Sequence, residues 1–129
     1  MESLQKLFSL KNKNVLITGS TGYLGSYISK FLADSKANVF LQGKDKVKVA
    51  HLYKKLKNKN CSVTPLVFDL LDEEEMKNVI NIKLKNNINV VVNNAYSGSS
   101  GTTLTSNSND FRNSYEITMV ATNNLVKIL

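Results

Sequence analysis

A glycine-rich segment, TGSTGYLG at residues 18–25, has the residue types and spacing that suit phosphate binding. It follows an apolar run at residues 15–17 and precedes an amphipathic stretch, so it is predicted to turn the chain from a strand into a helix. In that setting Gly19 permits a tight turn, Gly22 lets the backbone approach a pyrophosphate, and Gly25 lets the helix pack closely. The first amides of a helix lack internal acceptors and carry partial positive charge, which stabilises an anion. The pattern predicts a dinucleotide site, with a plain strand-to-helix turn as the alternative.

The rest of the chain alternates short apolar runs with helical stretches. Strands are predicted at about residues 15–18, 39–42, 63–68 and 89–93, and a last helix at about residues 110–129. The first helix is expected to bury one face, formed by Leu24, Tyr27, Ile28, Phe31 and Leu32. Strands separated by helices pair in parallel through right-handed crossovers. The predicted fold class is therefore α/β, a Rossmann-like doubly wound parallel sheet of strand order 3-2-1-4. Pro65 agrees, because a proline belongs on an edge strand and strand three is outermost in that order.

Length and composition are typical of one soluble globular domain covering residues 1–129. Of the 129 residues, 42% are hydrophobic and 21% charged. No apolar run approaches the ~20 residues of a membrane helix, and residues 1–10 lack the features of a signal peptide. Cys61 is the only cysteine and His51 the only histidine, which argues against a disulfide and against a zinc site or histidine triad. We expect a cytoplasmic protein without a metal and without a membrane partner.

The formal net charge of +7 is concentrated in one segment. Its lysines are Lys44, Lys46, Lys48, Lys54, Lys55, Lys57 and Lys59. Such a patch can bind nucleic acid, but Tyr53 is the only tyrosine, phenylalanine or tryptophan among its lysines and no nucleic-acid-reading module is recognised. A solvated helix face is the favoured interpretation, and no nucleic-acid partner is expected.

Three motifs in order resemble those of the short-chain dehydrogenase/reductase family. They are TGSTGYLG, the Asp69-Leu70 pair after strand three and Asn93-Asn94-Ala95 after strand four. The resemblance extends from about Lys13 to Leu129 and implies a Rossmann fold, a nicotinamide cofactor and usually a dimer or tetramer. It identifies the chain as the amino-terminal half of a dehydrogenase, ending before strand five.

The resemblance also implies roles for individual residues. Thr18 would brace the turn, and Asp69 would accept a hydrogen bond from the adenine amine, with the Leu70 backbone alongside. Asn93 and Ala95 would border a ribose, and Asn93 would also tie the centre of the sheet together. The full expected cofactor-binding set is Thr18, Gly19, Ser20, Thr21, Gly22, Tyr23, Leu24, Gly25, Lys44, Asp69, Leu70, Asn93, Asn94 and Ala95. The alternatives are a helix-capping role for Asp69 and a turn-forming role for the asparagine pair.

Three positions depart from the pattern of the family. The glycine spacing resembles the longer, sugar-nucleotide-modifying branch, whereas Asn-Asn-Ala is similar to the shorter branch, which we favour. Tyr96 stands where the shorter branch usually has glycine. Thr118 occupies the place of an asparagine that helps relay the catalytic proton, and is the candidate catalytic residue here.

The residues after strand two bear on the type of cofactor. An acid about 20 residues beyond the glycine motif binds a ribose 2′-hydroxyl, whereas a base accepts a 2′-phosphate. Gly43 lies where the acid would be and Lys44 where the base would be, so NADP(H) is predicted over NAD(H). Asp45, one or two places later, favours the opposite preference.

The catalytic serine, tyrosine and lysine of the family have no counterpart in these residues. The only Tyr-x-x-x-Lys, from Tyr53 to Lys57, is predicted to lie in helix two, far from a site at the sheet edge. The chain alone is therefore expected to be inactive, while its parent would transfer hydride to or from a small alcohol, carbonyl or sugar-derived substrate. Asn-Asn-Ala-Tyr also resembles dehydrogenases of flagellin-modification and surface-glycan pathways. A non-catalytic NAD(P)-binding regulatory module and an inactive remnant are the alternatives. Self-association through strand four and the last helix is expected.

Overall fold

Strands and helices alternate along the described part of the chain. The computed structural model describes residues 7–59, 61–84, 87–97, 102 and 104–129. The strands are β1 (Asn14–Ile17), β2 (Asn38–Gly43), β3 (Val63–Val67) and β4 (Val90–Val92). The helices are α1 (Tyr23–Asp34), α2 (Lys46–Leu56), α3 (Glu73–Lys83), α4 (Ser108–Tyr115) and α5 (Ala121–Ile128), with a π-helical turn (Glu116–Val120) between the last two.

The four strands form one parallel sheet of order β3-β2-β1-β4, which confirms the predicted topology. Ile17 of β1 pairs with Leu41 on one side and with Val92 on the other. Pro65 lies in β3 at the edge of the sheet, as predicted, where it interrupts no ladder on its outer side. All four carboxyl ends therefore meet at one edge, next to the start of α1.

Two apolar clusters cover the two faces of the sheet. On one face Val15, Ile17 and Leu41 pack with residues of α1 and α2, including Leu32 and Leu52. On the other face Leu16, Phe40 and Leu66 pack with Met76, Ile80 and Leu125. Successive strand residues point to opposite faces, so a parallel strand covered on both sides is apolar throughout.

The predicted buried face of α1 is wrong for most of its members. Leu24, Tyr27 and Phe31 are between 61% and 64% exposed, whereas the helix buries Gly25 and Ser29 together with Leu32 and Ala33. The reason is steric. A Cβ on Gly25 would overlap the Gly19 carbonyl oxygen, so the helix approaches the turn through its small residues. The Ser29 hydroxyl donates to the Gly25 carbonyl at 2.7 Å, which satisfies it inside the core.

The segment predicted as one last helix consists of α4, the π-helical turn and α5. It begins at Ser108, after Asn107, which forms a reciprocal capping box with Asp110. Its Ala121 and Leu125 are buried, whereas a second apolar stripe of Phe111, Tyr115, Met119 and Val126 is exposed. Of the polar segment before it, residues 98–101 and 103 lie outside the described residues. Within the described ranges, no helix combines the length and the apolar character that crossing a membrane requires.

Candidate functional site

A cavity of about 640 Å³ opens at the carboxyl edge of the sheet. Residues from the ends of all four strands contribute to it, which is where parallel α/β sheets bind ligands. Its lining is Gly19, residues 21–25, residues 42–45, Lys48, Asp69, Leu70, residues 94–97 and Ile117. Most of the predicted cofactor-binding residues are therefore brought together around one space.

The turn between β1 and α1 depends on glycine at two of its three glycine positions. Gly19 has a φ of +60°, and a Cβ there would lie 2.9 Å from the Ala95 Cα. Gly25 meets the carbonyl of Gly19, as described above. Gly22 has no such conflict, since a Cβ there would be 3.4 Å from its nearest neighbour, the Gly19 oxygen. Because the protein itself leaves this space open beside the cavity, Gly22 is free for close approach by a ligand.

The amides of the turn divide into two groups. The Gly19 amide donates to Gln42 Oε1 at 3.0 Å and the Ser20 amide to the Gln42 carbonyl at 2.9 Å, so both point into the protein. The amides of Thr21, Tyr23 and Leu24 find no acceptor among the described residues, and all three residues line the cavity. Anion-binding capacity therefore belongs to the second half of the turn and the first turn of α1. Ser20, predicted to contact cofactor, is instead fully buried behind the turn.

Gln42, like Lys48 and Ile117, belongs to the cavity lining but was missed by sequence reasoning. It is buried at the end of β2, where its Nε2 donates to the Phe68 carbonyl at 2.8 Å while its Oε1 accepts from Gly19. One side-chain amide thereby joins the exits of three strands. The available signal was a lone amide side chain at the end of an otherwise apolar strand, which must find partners when buried.

Thr18 and Asn94 connect β1 to the segment after β4. Thr18 Oγ1 accepts from the Asn94 amide at 3.1 Å and from the Ala95 amide at 3.0 Å. In return, Asn94 Nδ2 donates to the carbonyls of Thr18 at 3.0 Å and Gly19 at 3.1 Å. The bracing role predicted for Thr18 matches this geometry. The tying role predicted for Asn93 belongs to Asn94, because adjacent side chains leave an extended chain on opposite sides and Asn93 is exposed outside the cavity lining.

Asp69 lies in the cavity wall after β3 and does not cap a helix. Its Oδ1 accepts from the Leu71 amide at 3.0 Å, and its own amide donates to Glu75 Oε2 at 2.9 Å. The N-cap of α3 is Asp72, whose carboxylate accepts from the Glu75 amide. The helix-capping alternative for Asp69 is thus wrong, and Asp69 Oδ2 accepts no hydrogen bond among the described residues.

Lys44 and Asp45 follow β2 on the same side of the cavity as Asp69. Lys44 is exposed in the lining. Asp45 is the N-cap of α2, and its Oδ1 accepts from the amides of Val47 and Lys48, both at 3.0 Å. Lys48 is also part of the cavity lining, and its ammonium lies 3.8 Å from Asp45 Oδ2. The carboxylate that could have bound a ribose hydroxyl is therefore engaged in starting a helix.

A family profile described as short chain dehydrogenase matches residues 13–129, nearly the whole chain. The chain belongs to the short-chain dehydrogenase family. This family is one of oxidoreductases. A search of curated protein sequences finds no significant match.

Solved structures of other short-chain dehydrogenases share the fold. A gluconate 5-dehydrogenase from Burkholderia cenocepacia, in complex with NADP and tartrate, is 20% identical with a TM-score of 0.80 over 94% of this chain and 48% of its own. A 3-oxoacyl-[acyl-carrier protein] reductase from Brucella melitensis with bound NAD is 21% identical, with a TM-score of 0.82 over 100% of this chain and 52% of its own. A short-chain type dehydrogenase/reductase from Mycobacterium marinum reaches a TM-score of 0.83 at 17% identity, over 98% of this chain and 52% of its own. The chain thus spans about half the length of the structures it matches.

The helical segment at residues 108–128 approaches the cavity through its π-helical turn. A π turn adds a residue to the helical register, which rotates the following side chains by about 100°. Ile117 lines the cavity, whereas Thr118 does not. The Thr118 hydroxyl donates to the Ser114 carbonyl at 2.6 Å, one turn back in its own helix. The structure therefore does not bring the candidate catalytic Thr118 to the site.

Proposed function

We propose that this chain is the cofactor-binding half of an oxidoreductase that uses NADP(H) in preference to NAD(H). The observation that carries the proposal is the glycine turn, whose unpartnered amides open into a cavity that continues to both sides of it. In the parent protein the reaction would be hydride transfer to or from a small alcohol, carbonyl or sugar-derived compound. When bound, NADPH would supply the hydride for reduction, and NADP+ would accept it for oxidation.

The pyrophosphate would lie on the amides of Thr21, Tyr23 and Leu24. Two phosphate charges there meet the positive end of α1, with no acidic residue in the first turn of that helix. Gly22 leaves room for the phosphate oxygens to approach the backbone. These residues would therefore accept a dinucleotide without rearrangement of the turn.

The adenosine would lie over the ends of β2 and β3. Asp69 and Leu70 would border the adenine, and Lys44 would face the ribose. The preference for NADP(H) follows from charge, because the exposed ammoniums of Lys44 and Lys48 favour a 2′-phosphate dianion. The capping role of Asp45 supports this, since a carboxylate that accepts from two amides is poorly placed to accept from a ribose.

The residues supplied here would bind and orient the cofactor rather than move the substrate proton. The wall on the β4 side, residues 94–97 with Ile117, contains no lysine to pair with a tyrosine. The Thr118 hydroxyl donates its hydrogen bond to the Ser114 carbonyl. A non-catalytic NAD(P)-binding module is the second candidate function. It is favoured only by this hydrogen bond, because Thr118 is the candidate catalytic residue and its hydroxyl is directed into its own helix.

The proposal is tested by titrating the 129-residue chain with NADPH and NADH while following the cofactor's own fluorescence. We expect the chain to bind NADPH more tightly than NADH. Lys44→Ala should lower the affinity for NADPH by about tenfold, typical of one charge-assisted contact, and should change the affinity for NADH little. Lys54→Ala, an exposed lysine of α2 outside the cavity lining, is the matched control. Equal or tighter binding of NADH would overturn the preference, and binding of neither dinucleotide would overturn the function.

A further inference from the structure

Tyr96 is part of the cavity lining, and hydrogen bonds hold the backbone on both sides of it. The Ala95 amide before it donates to Thr18 Oγ1 at 3.0 Å, and the Ser97 carbonyl after it accepts from Ser114 Oγ at 2.9 Å. The segment is thereby held to both β1 and α4. The Tyr96 side chain itself is 73% exposed, belongs to neither core cluster, and its hydroxyl has no partner among the described residues.

Such an arrangement is hard to explain by stability. An exposed ring contributes little to the core, and its contact with water is unfavourable by the area it leaves uncovered. When a ligand covers a ring at the wall of a cavity, the apolar surface removed from water contributes favourably to binding. Glycine at this position, as in the family branch that the motifs resemble, would leave the wall open.

The sheet order decides which part of a dinucleotide would meet this ring. β4 lies on one side of β1, and β2 and β3 lie on the other. Lys44, Asp69 and Leu70 therefore line the cavity on one side of the glycine turn, and residues 94–97 line it on the opposite side. With phosphates on the turn and a 2′-phosphate near Lys44, the remaining nucleoside extends over β4.

We infer that Tyr96 is a ligand-contacting residue whose ring packs against the nicotinamide riboside half of the cofactor. This inference rests on the proposed function. The contact is made by the ring face, which can cover a planar heterocycle or the apolar face of a ribose, and stacking of this kind strengthens binding of a nucleotide base. Tyr96 thus narrows the nicotinamide end of the cavity in this chain.

The test compares two ligands that share the adenosine half. NADPH carries both halves, whereas adenosine 2′,5′-bisphosphate carries the adenine and the 2′-phosphate but no nicotinamide riboside. We expect Tyr96→Ala to lower the affinity for NADPH by about tenfold, within the range of single stacking contacts. The affinity for adenosine 2′,5′-bisphosphate should change by less than about twofold. Tyr96→Phe should retain NADPH affinity, because it keeps the ring. Tyr115→Ala, which removes an exposed tyrosine away from the cavity, is the matched control.

Each other outcome is informative about which statement fails. Unchanged NADPH affinity in Tyr96→Ala, or equal weakening of both ligands, would overturn the role of Tyr96 while leaving the cofactor site intact. A loss in Tyr96→Phe as large as in Tyr96→Ala would overturn the ring contact in favour of the hydroxyl. Binding of neither ligand by the unmodified chain would overturn the proposed function and this inference with it.

Discussion

Gln42 holds Gly19 in place: its Oε1 accepts from the Gly19 amide at 3.0 Å, at the point where the chain enters its left-handed turn. The same side chain donates to the Phe68 carbonyl. The shape of the glycine turn is thus set by an amide from the neighbouring strand as well as by the glycines themselves. The position of the anion-binding half of the turn therefore depends on a side chain of β2.

Replacement of Gln42 by methionine is expected to lower both stability and cofactor affinity. The similar volume of methionine limits repacking, but the Gly19 amide and the Phe68 carbonyl lose their partners, at a cost of about 1–3 kcal/mol for buried polar groups. Urea unfolding measures the first effect and NADPH titration of the folded protein the second. Asn38→Leu removes an amide at the other end of β2 and should leave NADPH affinity unchanged. An unaltered affinity in Gln42→Met would contradict the role assigned to this residue.

Gly22→Ala and Gly25→Ala are expected to fail in different ways. The methyl group on Gly25 overlaps the Gly19 carbonyl, so unfolding free energy should fall by about 1–3 kcal/mol, as for other overpacked sites. The methyl group on Gly22 would lie 3.4 Å from the Gly19 carbonyl oxygen, an ordinary van der Waals contact, so stability should change by less than about 0.5 kcal/mol. NADPH binding should nevertheless weaken in Gly22→Ala, because the added methyl occupies space beside the phosphates. Thermal unfolding and cofactor titration of both variants separate the two effects, and normal NADPH affinity in Gly22→Ala would argue against phosphate at this turn.

The two adjacent asparagines after β4 should respond oppositely to substitution. Asn94→Ala removes two side-chain hydrogen bonds to the end of β1, so we expect a loss of about 1–3 kcal/mol in unfolding free energy. Asn93→Ala changes an exposed side chain outside the cavity and should stay within about 0.5 kcal/mol. Chemical denaturation of the two variants under one set of conditions makes the comparison. Greater destabilisation by Asn93→Ala would restore the assignment expected from the family resemblance.

Exposed apolar side chains on the last helix are expected to cause self-association. Phe111 and Met119 are among the exposed side chains of its second stripe, and Val90 at the edge strand β4 is also exposed. Phe111→Glu combined with Met119→Glu should shift the chain towards monomer, with little loss of stability because neither side chain is buried. Light scattering over a range of concentrations measures the change, with Lys127→Glu on the same helix as a charge-matched control. A monodisperse monomer before substitution would refute the expectation.

The sequence by itself determined the order of the strands and the position of the cavity. The strand order follows from apolar runs separated by helices, from the right-handed crossovers between them and from Pro65 at an edge. These constraints are local or set by chirality, so they do not depend on the details of packing. The glycine spacing likewise located the turn, because φ at Gly19 and the space at Gly25 are properties of short segments.

Only the tertiary structure decided which of several neighbouring side chains performs each task. The inward face of α1, the use of Asn94 rather than Asn93, the clamp made by Gln42 and the entry of Ile117 rather than Thr118 all depend on distances between elements far apart in sequence. Sequence periodicity predicts which element a residue belongs to, but it does not distinguish which of two adjacent residues makes a given contact. Burial and hydrogen bonding across elements then select among adjacent positions, because a buried amide or hydroxyl must find its partner wherever packing puts it.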